Sequence, residues 1–312
     1  MARIFMVVTI FAAALCSAAF ADTGEDVRTL CKEGRYEEAL TMAKSALAEK
    51  EKLYGPSDIK AADALENVGM VYAAQGRRIE AADLYKRALG ICEKLYGAGS
   101  YRVATINLTL GDLCFDEGLN EDAEAYYLKA VSIYKKMEPR NIKELGEALT
   151  RLAELCYLTG RYTQAEALYQ EAIPVLERAY GRDSFQLSVA IDRLAELYFH
   201  HGKFIEAEKL YKRNIDMAQG TRNDDDPRIV APLSKLADLK FAQAKYSEAA
   251  DIYEQALRVS EKTIGADSPR AMSISKNLIK TYRMTGNEKK AAAIEKKIKE
   301  MSEPVKLKEE VL

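Results

Sequence analysis

The sequence predicts an all-α solenoid of about seven helix pairs, and two ladders of small residues running in phase predict it. A turn glycine recurs at a 42-residue step as Gly34, Gly76, Gly118, Gly160, Gly202 and Gly286, with Ala244 in the one slot that lacks it. An alanine keeps step five positions further on, as Ala39, Ala81, Ala123, Ala165, Ala207, Ala249 and Ala291. Self-similarity at such a period marks stacked supersecondary units, each too small to bury its apolar face alone. The stretch Leu145–Gly181 shows the unit most clearly: two apolar-periodic segments meet at Gly160 and end at Gly181, which reads as helix, tight turn, helix.

Taken in order, residues 1–21 stand apart from the array. Arg3 precedes the apolar run Ile4–Leu15, and Ala19-Phe20-Ala21 supplies small residues at the spacing of an export cleavage site, so a signal peptide is expected there and the mature chain is expected to begin at Asp22. The run is short for a bilayer span, and no later stretch is long and apolar enough for one, so no membrane span is expected in the mature chain. The expected location is the periplasm or the exterior. The repeat units are then read as 22–58, 59–100, 101–142, 143–184, 185–226, 227–268 and 269–301, with a flexible C-terminal tail over 302–312.

Asp22–Gly34 and Arg35–Leu53 form a short first pair, polar at its start as a cap requires. Ala61–Gly76 with Arg77–Leu95 is the second pair, and Val103–Gly118 with Leu119–Met137 the third. The helix breaks Tyr54-Gly55-Pro56, Tyr96-Gly97 and Tyr180-Gly181 follow from a glycine that can take the left-handed conformation. Leu145–Gly181 is the fourth pair. Its Pro174 removes one backbone hydrogen bond inside the second helix, either as a tolerated kink or as a source of curvature. Gln186–Gly202 with Lys203–Met217, Ile229–Ala244 with Lys245–Thr263, and Arg270–Gly286 with Asn287–Met301 complete the series, Pro232 falling in a first helical turn where it is allowed. The linker run Asp224-Asp225-Asp226 lacks the alternating ligand spacing of a calcium loop, and a helix cap at Asp226 or a neighbour is the plainer account.

Four cysteines remain after the leader, Cys31, Cys92, Cys114 and Cys156, with no C-x-x-C pair among them. That spacing points to neither a redox centre nor a zinc site. Cys114 and Cys156 hold one register, where Tyr72 and Tyr198 stand in other repeats, and are expected to be buried fillers.

The chain resembles tetratricopeptide-repeat proteins, and its period is similar to the 42-residue variety of kinesin light chains. Leu65, Gly69 and Tyr72 match the first helix of that motif, Gly76 the turn, and Ala81, Tyr85 and Ala88 the second helix. Tyr85, Tyr127, Tyr169, Tyr211 and Tyr253 repeat one of these positions, and Ala88, Ala130, Ala172 and Ala256 another, with Asn214 the exception. The resemblance implies a right-handed superhelical α-solenoid whose first helices line a concave face, and a scaffold role for proteins or peptides.

Counting back from the turns places a candidate groove on those first helices. Six residues before successive turns stand Asp112, Glu154, Glu196, Asp238 and Lys280; three before stand Phe115, Tyr157, Phe199, Phe241 and Arg283. The two sets share a helix face, and four repeats thereby pair an aromatic with a carboxylate. Lys276, Lys280 and Arg283 reverse the sign at the C-terminal end. The competing reading is that the aromatics only pack between helices and that Arg151 and Arg193 neutralise the acids.

These patterns give two expected functions. The first is a noncatalytic scaffold that holds a protein or extended peptide in the groove; the alternative is a structural part of an envelope assembly or homo-oligomer. A formal net charge of -2 and carboxylates among the aromatics argue against nucleic acid, since they repel phosphates. His200 and His201 are adjacent and lack the spacing of a metal pair, and no nucleophile or phosphate-loop motif is present. No cofactor, metal or catalytic residue is expected.

Overall fold

A computed structural model describes residues 23–137, 139–220 and 226–302. Those residues form an all-α solenoid of helix pairs, with no strand among them. The pairs are α1 (Thr23–Lys32) with α2 (Tyr36–Tyr54), α3 (Ile59–Ala74) with α4 (Arg78–Tyr96), α5 (Tyr101–Asp116) with α6 (Asn120–Met137), and α7 (Ile142–Leu158) with α8 (Tyr162–Tyr180). They continue with α9 (Ser188–His200) and α10 (Phe204–Gln219), α11 (Val230–Ala242) and α12 (Tyr246–Thr263), and α13 (Pro269–Met284) and α14 (Glu288–Ser302). The chain falls into two compact units, residues 1–155 and 156–312. The leader expected over 1–21, Asp224, Asp225 and nearly all of the expected tail lie outside the described residues.

Each turn inside a pair is closed the same way. In the second pair Gly76 N–H donates to Ala73 O at 2.9 Å and Arg77 N–H to Tyr72 O at 2.8 Å, which satisfies carbonyls that the helix end leaves open. This geometry holds the turn residue in the left-handed region, at φ 77° for Gly76 and φ 77° for Gly160. Ala244 adopts it too, at φ 58°, with the same two bonds from Ala244 N–H to Phe241 O and from Lys245 N–H to Lys240 O. The sixth turn therefore keeps its shape at the cost of a side chain in a conformation that suits glycine.

Helix starts use side-chain caps where the sequence offers them. Asp58 accepts from Lys60 N at 2.9 Å, and Ser100 and Ser268 cap α5 and α13. Asp226 accepts from Arg228 N at 2.9 Å, as expected of a cap. Every start lies within three residues of the sequence reading, with the largest offset at α7 and with 3-10 entries before α9 and α11. The helix expected from Leu145 begins at Ile142, and those expected from Gln186 and Ile229 begin at Ser188 and Val230 after 3-10 turns, Phe185–Leu187 and Pro227–Ile229. Apolar periodicity is silent about the two 3-10 entries because the tight turns change the pitch before the stripe begins. Pro174 lies inside α8, which is assigned as continuous from Tyr162 to Tyr180, and Pro232 is buried in the first turn of α11.

The core follows the two ladders. Every alanine from Ala39 to Ala291 at the 42-residue step is fully buried, so a helix backbone can approach closely at each crossing. Tyr127, Tyr169, Tyr211 and Tyr253 are fully buried with them. The rings set the size of the facing residue: a Cβ on Gly69 would come within 2.9 Å of the Tyr85 ring, and one on Gly111 within 2.5 Å of Tyr127. Cys114 and Cys156 are buried, and burial pushes the Cys114 thiol above its ordinary pKa, which suits packing over reactivity.

Candidate protein-interaction face

The first helices place the candidate residues as counted: Asp112 and Phe115 on α5, Glu154 and Tyr157 on α7, Glu196 and Phe199 on α9, Asp238 and Phe241 on α11, and Lys276, Lys280 and Arg283 on α13. The acids and aromatics are half-buried, and the three cations are exposed.

The carboxylates are committed to neighbouring repeats. In the first unit Arg151 Nε lies 3.3 Å from Asp112 Oδ1, and Tyr127 donates its hydroxyl to the same carboxylate at 2.9 Å. In the second unit Lys235 reaches Glu196 at 2.6 Å and also pairs with Asp192. Asn277 donates to Asp238 at 3.3 Å, and Tyr253 donates to that acid as well. In each case the cross-repeat partner lies 39 residues after the acid, one helical turn short of the full period. The acid of one first helix thus faces the residue one turn earlier on the next. Arg193, three residues before Glu196 on the same helix, adds an ion pair at 3.0 Å. Such partly exposed pairs contribute about 0–1 kcal/mol each, and their main effect is to neutralise the face.

Electrostatics match this geometry. Burial pushes the Asp112 carboxyl above its ordinary pKa against the opposing pull of Arg151 and Tyr127. Asp238 is pushed the same way by burial. For Glu196 burial also pushes upward, but the hydrogen bonds and charges of Lys235 and Arg193 outweigh it and hold the acid below its ordinary value.

The aromatics are committed as well, across the turn of their own pair. Tyr157 meets Tyr162 edge-on with ring centroids 5.8 Å apart, Phe199 meets Phe204 at 5.9 Å, and Phe241 meets Tyr246 edge-on at 5.1 Å. Each partner stands five residues on, at the first position of the following helix, and the pairs brace the turn between the two helices. Arg193 covers the Tyr157 ring at 5.0 Å, and Lys280 covers Phe241 at 4.7 Å. Phe115 has Asn120 at the partner position, so the third pair lacks this brace. The aromatics that open α8, α10 and α12 are the functional-looking residues that the count along first helices misses; a five-residue spacing across the turn is the signal that reveals them.

At the C-terminal end Arg283 pairs with Glu295 at 2.6 Å. Lys276 makes no ion pair among the described residues. His200 is exposed beside Phe199, whereas His201 lies 3.3 Å from Glu166. Among the described residues no group of three or more His, Cys, Asp and Glu could hold a metal ion, and no helix is long and apolar enough to cross a membrane.

Exposed apolar side chains collect at the turns instead. Leu53 and Tyr54 end α2, Leu95 and Tyr96 end α4 at the same register, and Tyr101 begins α5; all are exposed. Ile79, Leu119, Leu158, Tyr162 and Ile205 are exposed around the turns inside pairs.

Comparison with solved structures identifies the same architecture elsewhere. BtubC from P. vanneervenii is 21% identical, with a TM-score of 0.61 over 72% of this chain and 90% of that one. A Signal Transduction ATPase with Numerous Domains from Pyrococcus horikoshii, which carries a tetratricopeptide repeat sensor, is 17% identical with a TM-score of 0.72 over 89% of this chain and 41% of that one. Pseudomonas aeruginosa pilF is 16% identical with a TM-score of 0.56, covering 82% and 96%. No curated protein matches the sequence. A tetratricopeptide-repeat model matches residues 27–94, 60–136, 144–220, 185–262 and 228–303, so this chain belongs to the tetratricopeptide-repeat family.

Proposed function

We propose that this protein–protein interaction scaffold is a structural part of a larger assembly and engages its partners along the turn edges of its helix pairs. The observation that carries this reading is the Leu-Tyr repeat at the ends of α2 and α4, where Leu53 is 60% and Leu95 51% exposed. Burying such side chains against a partner stabilises association by about 1.5–3 kcal/mol for each one fully covered. The first-helix face offers less, because its acids and three of its four aromatics, Tyr157, Phe199 and Phe241, already have partners within the chain. With the leader expected over residues 1–21, the assembly belongs to the cell envelope.

Purified protein is compared with a Leu53→Ser, Leu95→Ser variant by light scattering and by capture from envelope extract. The edge reading expects a partner or a self-associated species that the edge variant loses and that a Phe115→Ala, Glu154→Gln variant keeps. Loss through the second variant alone would overturn it in favour of the groove.

One observation favours the groove as a second binding surface: α13 carries Arg270, Lys276, Lys280 and Arg283 and no acid. Arg283 is matched by Glu295 on the following helix, and the other three, which make no ion pair among the described residues, suit a partner that brings negative charge.

A further inference from the structure

Arg270 opens α13 at the register that Arg102 holds in α5, four periods earlier. In the first unit Arg102 is satisfied by the preceding first helix: its Nη2 pairs with Asp63 and lies 2.6 Å from Glu66 Oε1. The same two registers in front of Arg270 are occupied by Ala231 and Ser234. Both carboxylates are gone, and Arg270 makes no ion pair among the described residues. Between α11 and α13 a cleft of about 650 Å³ remains, lined by Ala231, Ser234, Arg270, Ser273 and Asn277 among others. Ser234 turns its hydroxyl back to Val230 O at 2.8 Å, so it does not take over the role of the missing acid. Asp238, at the same cleft, is already held by Tyr253 and Asn277.

We propose that this cleft binds an acidic segment of a protein partner, whose carboxylate takes the place before Arg270 that Asp63 and Glu66 take before Arg102. Charge complementarity chooses the occupant, because Arg270, Lys276 and Lys280 present cations on a helix without acids. Ser273 and Asn277 add uncharged polar groups for the backbone of the segment. The inference rests on the groove as a second binding surface and names the chemistry of its guest.

The chain itself supplies the probe and the blocking mutation. The probe is the end-blocked, fluorescein-labelled hexapeptide Ala-Asp-Ala-Leu-Glu-Asn, the α3 sequence that Arg102 recognises, against the same peptide with Asn and Gln in place of the acids. Anisotropy at low salt is expected to show the acidic peptide binding at least about tenfold more tightly than the amide peptide. Ser234→Glu, which restores an internal carboxylate, is expected to abolish that preference with helicity and melting retained, and Arg270→Gln is expected to abolish it too. The converse Asp63→Ala, Glu66→Ser variant is expected to bind a second equivalent of the acidic peptide at Arg102. Unchanged acidic-peptide affinity in Ser234→Glu overturns the proposal. Equal binding of both peptides overturns it as well while leaving the groove reading in place, and no binding of either removes both.

Discussion

Tyr127 donates its hydroxyl to Asp112 at 2.9 Å, and Tyr253 makes the same bond to Asp238 one half of the array later. The spacing is 15 residues in both, so a core tyrosine of each second helix reaches the acid on its own first helix. A buried ring therefore ends in a polar tip at the surface that the acids occupy. Replacing Tyr127 with Phe keeps the packing and removes only this bond. The expected loss is about 1.5 kcal/mol, as for a hydrogen bond to a charged group, measured by urea unfolding. A loss under a few tenths would mean that Arg151 alone satisfies Asp112.

Asp238 gives a pH-dependent case. Burial raises its pKa above the ordinary aspartate value, so the folded state favours the protonated acid. A raised carboxyl contributes stability that is complete below its unfolded pKa and is lost as pH rises through the folded value. Asp238→Asn, which retains an oxygen acceptor for Tyr253, is expected to be more stable than wild type at pH 7. The advantage should shrink as the pH falls through the folded pKa of Asp238 and vanish below the unfolded carboxyl value, where the acid is protonated in both states. Denaturation midpoints taken from pH 7 down through that range test this; an advantage that grows toward acid pH would contradict the assigned direction.

The sixth turn is the one place where the glycine ladder and the backbone disagree. Ala244 sits at φ 58° with the same hydrogen bonds as its glycine counterparts. Left-handed geometry costs a residue with a Cβ about 1–2 kcal/mol, part of which glycine returns through its larger unfolded entropy. Ala244→Gly is therefore expected to raise stability by about 0.5–1 kcal/mol, and Gly160→Ala to lower it by a similar amount. Paired thermal melts would show the two shifts with opposite sign.

Most of the fold was legible because a solenoid writes its core as a period. The buried Ala39 to Ala291 ladder, the tyrosine ladder and the turn glycines all stand at the register the sequence predicts. The entries to α9 and α11 were not, because 3-10 turns at Phe185 and Pro227 precede the apolar stripe. The candidate face was legible in position and not in meaning. Asp112 finds Arg151, and Glu196 finds Lys235, at a 39-residue offset that depends on how one helix stacks on the next. Phe199 finds Phe204 across a turn, where the face of a single helix gives no information.

The pairing of Phe199 with Phe204 also decides between a braced turn and a guest-binding aromatic. Both rings are half-buried, and their centroids lie 5.9 Å apart. If the pair braces the turn, Phe199→Leu and Phe204→Leu each lower stability, and the double variant loses less than the sum of the two. Aromatic pairs of this kind couple by about 0.5–1.5 kcal/mol in double-mutant cycles. The same cycle on Phe241 and Tyr246 should give a similar coupling, since the geometry recurs at 5.1 Å. Phe115 serves as the internal control: with Asn120 at the partner position, Phe115→Leu with Asn120→Ala should show no coupling. Absence of coupling at Phe199, combined with loss of peptide or partner binding in the single variant, would return these aromatics to the groove and make their contact with the second helix incidental.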